Sequence, residues 1–226
     1  MDGLLSILMF LIFLVVFVII LCGKINILIV TTSVLFFFIL SCIRRYYFIR
    51  NCKSNARLLS SDIYVIPFEH IKYKGAFAVN NYVIFEESFY DEQDDVSKNV
   101  IISHERYHLK HRHTEKKNFF RCVLLWNSLH LMFGQNGLYK LILLLVLCAI
   151  YIVLISYFEY NADGYSVENN GIDDVIYTLE HLEQNNENIK KGDSICLWLN
   201  TIPSLKSRIR RLHKQKLQYS AINIKK

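Results

Sequence analysis

Residues 102–113 read ISHERYHLKHRH, a stretch with four histidines and one glutamate within ten positions. In a helix, His104 and His108 lie one turn apart on the same face, about 6 Å along the axis. Two imidazoles at that spacing can bind one zinc ion, and Glu105 flanks the open metal position, where it can take a proton from bound water. The alternative is a polar helix with ordinary histidines, because the H-E-x-x-H pattern also arises by chance.

A third protein ligand must come from another part of the chain. His111 lies too far along a straight helix, since three histidines at this spacing span about 10 Å and zinc–nitrogen bonds are about 2.1 Å long. Glu159 and Asp163 are four residues apart and share a helix face. We predict that Glu159 is the third ligand and that Asp163 accepts the second N–H of a ligand histidine. Two solvated acids beside a membrane are the alternative.

The composition indicates a membrane protein. Hydrophobic residues make up 53% of the 226 residues, and they are concentrated in a few runs. The net charge is +6, but much of the positive charge flanks the apolar runs, where basic residues act as topology signals. We therefore expect the lipid bilayer as a partner and no nucleic acid. The six cysteines form no C-x-x-C pair, so neither a disulfide framework nor a cysteine zinc knuckle is indicated.

Four apolar segments are candidates for crossing the membrane. Residues 4–22 and 25–43 form an N-terminal hairpin, 119–133 is shorter, and 138–158 is strongly apolar. If 119–133 does not cross, the topology has one span fewer. We divide the chain into an N-terminal transmembrane hairpin, a first catalytic part, a second transmembrane or partly embedded hairpin, and a second catalytic part with a basic C-terminal helix (1–45, 46–116, 117–158 and 159–226).

The distribution of basic residues predicts the orientation. Only Lys24 lies between the first two segments, whereas five basic residues follow the second one (Arg44, Arg45, Arg50, Lys53 and Arg57). The positive-inside rule then places residues 44–116 in the cytoplasm, and four spans return residue 159 to the same side. We expect an integral protein of a bacterial cytoplasmic membrane whose active site faces the cytoplasm.

The polar stretches between the apolar segments predict a small α+β part. The sequence DIYVIPF (62–68) predicts a strand, and AFAVNNYVIF (76–85) predicts a hairpin, because Asn80-Asn81 tolerates positive φ. An acidic loop over 91–95 and a helix over about 96–115, capped by Ser97, should follow. A further helix is expected over 172–190.

Several motifs in the same order resemble the membrane-embedded gluzincin zinc metallopeptidases. H-E-x-x-H is followed by E-x-x-A-D at 159–163, HERYHLKHRH matches the longer H-E-x-x-H-x-x-x-x-H pattern, and TIPSLKSRIRRL (201–212) resembles a C-terminal motif. GAFAVNNYVIFEESF (75–89) resembles the hairpin before the zinc helix. The closest types are the HtpX-type proteases, the CAAX prenyl proteases and the protease domain of β-lactam sensor-transducers.

The resemblance implies a mainly α membrane protein with about four transmembrane helices and a small α+β zincin-like catalytic domain. It implies one Zn²⁺ ion on the predicted ligands, Glu105 as general base and a catalytic contribution from Arg208. On a straight helix His113 points about 180° from His104, so it is expected only to support the site from outside the ligand set. The substrate should lie along one strand of the hairpin (Ala76, Phe77, Ala78 and Val79).

Two positions depart from the family pattern. Gly75 stands where the family has Asn, and Ile202 stands where it has His. Because that histidine is thought to stabilise the oxyanion, no oxyanion stabiliser is assigned.

The implied activity is that of a membrane-integral zinc metalloendopeptidase. It would hydrolyse peptide bonds of membrane or misfolded proteins at the cytoplasmic face, with a protein or peptide substrate as partner. One alternative is a regulatory protease of the sensor-transducer kind, although no large extracellular sensor domain is expected. The other is a non-catalytic, zinc-stabilised membrane scaffold, for which a base such as Glu105 has no use. No oligomeric state is predicted.

Overall fold

The computed structural model describes residues 54–70, 74–79, 81–133, 137–189 and 203–224, with scattered helical positions between 31 and 50. The predicted span 4–22 and most of 25–43 lie outside these residues. The chain forms two compact units, one of Met1–Phe48 with Asn118–Ile150 and one of Ile49–Lys117 with Tyr151–Lys226. Every predicted site residue from Ala76 to Arg208 belongs to the second unit.

The second unit contains a four-stranded sheet of β1 (Arg57–Ser60), β2 (Ile63–Ile66), β3 (Ala76–Val79) and β4 (Tyr82–Glu86). Its spatial order is β1-β2-β4-β3, so β3 lies at one edge. The outer pairs are antiparallel, whereas β2 and β4 are parallel.

The predicted strand and hairpin are confirmed. Val79 pairs with Tyr82, which leaves two residues for the turn, although Asn80 itself lies outside the described residues. The apolar side chains on one face of the sheet form a core with the first long helix (Ile63, Val65, Val83, Phe85 and Ile101). Strand β1 and the parallel pairing were not predicted, because RLLS is too short for a period-2 pattern and parallel pairing depends on tertiary packing.

The described part of the chain is mainly helical, as predicted. Helix α1 (Glu87–Glu92) occupies part of the stretch that we expected to be an acidic loop. The Glu86 side chain caps it by accepting from the Ser88 and Phe89 backbone N–H groups at 2.8 and 2.9 Å. The helices are α1 (Glu87–Glu92), α2 (Asp95–Lys110), α3 (His113–Phe133), α4 (Gly137–Asn170), α5 (Ile172–Ile189) and α6 (Leu205–Ile224).

The histidine-rich helix begins within one residue of its predicted start, but its predicted cap and its predicted end were wrong. Helix α2 begins one turn earlier than a Ser97 cap requires, because Asp94 is the cap and accepts from the Ser97 N–H at 2.7 Å. It ends at Lys110 rather than near residue 115. Arg112 adopts a φ of 51°, a left-handed conformation that interrupts the helix before α3 starts at His113.

Helices α2, α5 and α6 share a second apolar core. Their buried side chains each stabilise the fold by about 1.5–3 kcal/mol. Helix α4 joins them through Ser166, whose hydroxyl donates to the Val100 carbonyl at 3.3 Å. The core side chains are Val100, Val175, Ile176, Leu179, Ile209 and Leu212.

One described helix is long and apolar enough, by length and composition, to cross a membrane. This stretch, Leu141–Asn170, belongs to α4 and includes most of the predicted span 138–158. The segment 119–133 lies in α3. Helix α4 continues without a break beyond residue 158 and ends before Gly171, which has a φ of 93°. The acidic residues 159 and 163 therefore lie on the same helix as the apolar stretch, in the part of it that belongs to the catalytic part of the chain.

Candidate metal centre

Three predicted ligands converge from two helices. Helix α2 presents His104 and His108, whose Nε2 atoms are 3.1 Å apart. Helix α4 brings in Glu159, with Oε2 at 3.3 Å from His104 Nε2 and Oε1 at 3.5 Å from His108 Nε2. Among the described residues, this trio is the one group of three or more His, Cys, Asp or Glu side chains that could hold a metal ion.

The spacing of these atoms suits zinc. Tetrahedral zinc with bonds of about 2.1 Å holds its ligand atoms about 3.4 Å from one another. The three contacts among His104, His108 and Glu159 lie close to that value, but the two histidines face different oxygens of Glu159. One ligand atom from each of the three residues lies within 4.8 Å of the other two. Two imidazoles and one carboxylate also match the donor set of catalytic zinc sites, which leave the fourth position to water or substrate.

Asp163 supports the first ligand, in the position that its spacing predicted. Its Oδ1 lies 3.1 Å from His104 Nδ1, opposite the ring nitrogen that faces Glu159. Arg208 donates from Nε to Asp163 Oδ2 at 2.8 Å and from Nη2 to Oδ1. Arg208 therefore binds Asp163 through two guanidinium nitrogens, and its Nη1 lies 3.7 Å from Glu159 Oε2.

The carboxylates determine the protonation of His104 in the metal-free site. Burial lowers the pKa of His104, but hydrogen bonds to Asp163 and Glu159 outweigh it and raise the pKa to about 9. A metal ion must therefore displace a proton from this ring at neutral pH.

His113 contacts the second ligand, contrary to the straight-helix prediction. Because the chain turns at Arg112, the His113 ring returns to α2, and its Nδ1 lies 2.8 Å from His108 Nδ1. The ring stacks on Phe158 at 4.1 Å between centroids, and burial together with the nearby His108 lowers its pKa to about 3. Neutral His113 can thus accept the Nδ1 proton of His108 and leave His108 Nε2 for a metal ion.

Lys117 also contacts a ligand and was not predicted. Its Nζ donates to Glu159 Oε1 at 2.9 Å. No sequence pattern indicated this residue, because it lies in a run of polar residues that is typical of a solvated surface.

Glu105 lies beside an apolar recess. The cavity has a volume of about 160 Å³ and is lined by His104, Glu105, Glu159 and Arg208 together with apolar side chains. The half-buried Glu105 hydrogen-bonds to none of the described residues, so its carboxylate is available for a proton. The apolar lining includes Ala76, Phe89, Ile101, Leu179 and Leu182.

The edge strand β3 offers only part of its backbone. The Gly75 carbonyl accepts from the Glu86 N–H at 3.0 Å. Because hydrogen-bonded residues alternate along an antiparallel pair, the backbone N–H and C=O groups of Phe77 and Val79 point toward β4. The backbone groups of Ala76 and Ala78 point to the open edge, but the Thr114 hydroxyl already donates to the Ala78 carbonyl at 3.0 Å. Of the predicted substrate strand, Ala76 is the residue that also lines the recess.

The remaining site predictions have simple outcomes. His111 caps the end of α2, with its ring against Tyr107 at 4.3 Å, and does not join the ligand group, as expected. Ile202, at the position of the family histidine, lies outside the described residues.

Comparison with known proteins gives one match, to a protein family. No curated protein and no solved structure gave a significant match. A family model does match: the model of peptidase family M48 covers residues 48–216. That range includes the complete ligand triangle, Glu105 and Arg208, and the family is zinc-dependent. The chain therefore belongs to the metallopeptidases of family M48.

Proposed function

We propose that this chain is a membrane-integral zinc metalloendopeptidase that cleaves membrane or misfolded proteins at the cytoplasmic face. The observation that carries the proposal is the group of His104, His108 and Glu159, whose ligand atoms lie within 4.8 Å of one another. Beside it lies the Glu105 carboxylate, which hydrogen-bonds to none of the described residues. Membership of family M48 supports the metallopeptidase activity.

The roles follow from the contacts of each side chain. When bound, zinc would supply a Lewis acid that activates water and polarises the scissile carbonyl. Glu105 accepts the water proton on its carboxylate and passes it to the nitrogen of the leaving amine. Asp163 and His113 fix the Nδ1 protons of the two ligand histidines. Arg208 acts through Asp163 and Glu159, so we assign it a positioning role instead of direct catalysis.

Substrate binding is proposed at the open edge of β3. The outward backbone groups of Ala76 can pair with an extended peptide, and the recess next to Ala76 can take one apolar side chain. A cavity of about 150 Å³ holds a benzene molecule, so the recess of about 160 Å³ has room for a leucine or phenylalanine side chain.

Membrane integration is supported by helix α4 and by the composition. Side chains such as Leu145, Val146 and Val153 expose 60%, 49% and 66% of their surface, which a bilayer would cover. We retain four spans, with a cytoplasmic active site, as the proposed topology. The basic residues after 43 support this orientation.

The test is the Glu105→Gln variant. We expect casein cleavage by the purified full-length protein to be chelator-sensitive and to fall about 10²–10⁴-fold in the variant, because an amide cannot accept the water proton. Glu168→Gln, an exposed change on α4, is the matched control and should cleave like the wild type. Normal cleavage by Glu105→Gln would contradict the mechanism, and a wild type that binds zinc but cleaves nothing would favour the scaffold alternative.

A further inference from the structure

The first five residues of α3 contact three separate parts of the site. The break at Arg112 lets three of these side chains reach the catalytic part of the chain. His113 contacts His108, Thr114 bonds the Ala78 carbonyl, and Lys117 bonds Glu159. Of these three, Lys117 places a full positive charge on a metal ligand, which a solvated surface lysine would not do.

The two carboxylate oxygens of Glu159 face different cations. Oε1 accepts from Lys117 Nζ at 2.9 Å and lies on the side of His108. Oε2 faces His104 at 3.3 Å and the Arg208 guanidinium at 3.7 Å. The carboxylate is therefore held between a lysine and an arginine, and its rotation determines whether an oxygen points at the histidine pair.

Lys117 approaches Glu159 from outside the recess. Glu159 and Arg208 line the cavity, but Lys117 does not. The lysine side chain is 24% exposed and reaches the carboxylate from α3, whereas a substrate in the recess would approach from the side of His104 and Glu105. This placement favours a role in orienting the ligand over direct contact with the substrate.

We propose that Lys117 is a positioning residue that holds Glu159 Oε1 on the side of His108, so that the carboxylate stays turned toward the two histidines. The inference rests on the proposed zinc site. Without Lys117, the Arg208 guanidinium still lies 3.7 Å from Glu159, and the carboxylate would rotate onto it and leave the histidine pair without its third ligand. Loss of a hydrogen-bond partner behind a metal ligand typically lowers metal affinity about 10–100-fold.

If Lys117 acted only through its charge, its removal would change the metal affinity in the opposite direction. A lysine that merely repels a divalent cation weakens metal binding, so its removal would tighten binding. The sign of the change in metal affinity therefore separates positioning from simple charge repulsion.

The experiment uses the full-length protein in detergent and measures metal binding, not activity. Zinc affinity is obtained by competition with a chromophoric chelator, and the visible absorption of the Co²⁺-loaded protein reports the ligand set. The variants are Lys117→Met, Lys117→Gln and the charge-retaining Lys117→Arg. Lys116→Met is the matched control, because this exposed neighbour points at the Phe158 ring, 5.8 Å from its centroid.

We expect the two neutral variants to bind zinc at least about tenfold more weakly and to show an altered Co²⁺ spectrum. Lys117→Arg should recover most of the affinity, and Lys116→Met should match the wild type. Unchanged or tighter binding by the neutral variants, or loss of their fold, would overturn the inference while the proposed function stands. A wild type that binds no metal would contradict both, whereas a metal-binding wild type without peptidase activity would contradict the function alone.

Discussion

The ion pair of Arg208 and Asp163 lies behind the proposed metal ligands, with only 12% and 5% of the two side chains exposed. At this depth a charge without its partner is costly, because water cannot replace the lost contact. The pair therefore affects stability as well as the position of His104, which shares the Asp163 carboxylate.

We expect Arg208→Met to destabilise the metal-free protein by about 3–5 kcal/mol, because it leaves the Asp163 carboxylate buried without its guanidinium partner. This corresponds to a fall of about 10 °C in the thermal unfolding midpoint, which circular dichroism measures. Lys206→Met is the control on the same helix: its ion pair with Glu183 is 3.6 Å long and its side chain is 65% exposed, so the cost should stay below about 1 kcal/mol. Equal effects of the two changes would contradict this account of the pair.

The pKa of His104 predicts how the stability of the metal-free protein depends on pH. Folding raises this pKa from its usual value of about 6.5 to about 9, so the folded state favours the protonated ring. The stabilisation of the fold by protonated His104 is complete below pH 6.5 and is lost as the pH rises through 9. With a chelator present, the unfolding midpoint should fall between pH 6.5 and 9.5, and His104→Asn should remove that fall. If the unfolding midpoints of the wild type and of His104→Asn fell equally with pH, the fall would come from groups other than His104.

Sequence patterns identified the residues that share a helix face, and they missed those that meet by tertiary packing. Glu159 and Asp163 could be predicted because i, i+4 spacing fixes their relation within one helix. Lys117 could not, because nothing in the order of residues 113–117 indicates which distant carboxylate the lysine reaches.

At the scale of elements, the break between α2 and α3 has the largest consequence for the site. Helix breaks are usually marked by glycine, asparagine or proline, whereas here an arginine adopts the left-handed conformation. The prediction of one helix to residue 115 was wrong for that reason. The same error turned His113 away from His104 and from the site, whereas the break brings its ring against His108.

The open edge of β3 is the element that we expect to bind substrate. Ala76→Pro removes the outward N–H next to the recess, and edge strands tolerate proline where the N–H does not pair within the sheet. We expect KM to rise about tenfold with unchanged zinc content, as measured with a fluorogenic peptide. Phe77→Pro is the contrasting variant, because the Phe77 N–H faces β4. Removal of this N–H should unfold the hairpin. A normal KM in Ala76→Pro would place the substrate elsewhere.

At the scale of the whole molecule, one helix joins the apolar part of the chain to the site. Helix α4 spans 34 residues, about 51 Å, and carries Glu159 and Asp163 beyond its most apolar stretch. The sequence predicted the apolar segment from its composition and the two acids from their spacing. It did not predict that both belong to a single uninterrupted helix, since no pattern marks whether a helix continues past the end of an apolar run.

Membrane integration through α4 can be tested by fractionation. We expect the wild type to stay in the membrane pellet after alkaline carbonate extraction. The double change Leu145→Arg with Val146→Arg should lower the yield of folded protein in the membrane, because each arginine at the centre of a span costs about 2.5–3.5 kcal/mol, while the other proposed spans still hold the chain in the pellet. Leu217→Arg on α6, where the leucine is 69% exposed, is the control and should leave that yield unchanged. Release of the wild type would contradict an integral protein.

The most direct test of the account is the zinc content of the purified chain, measured by inductively coupled plasma mass spectrometry. The triangle of His104, His108 and Glu159 predicts one zinc per chain in the wild type and in Glu105→Gln, which keeps all three ligands. It predicts almost none in the double variant His104→Ala/His108→Ala. A wild type without zinc, or a double variant that keeps one equivalent, would contradict the central claim.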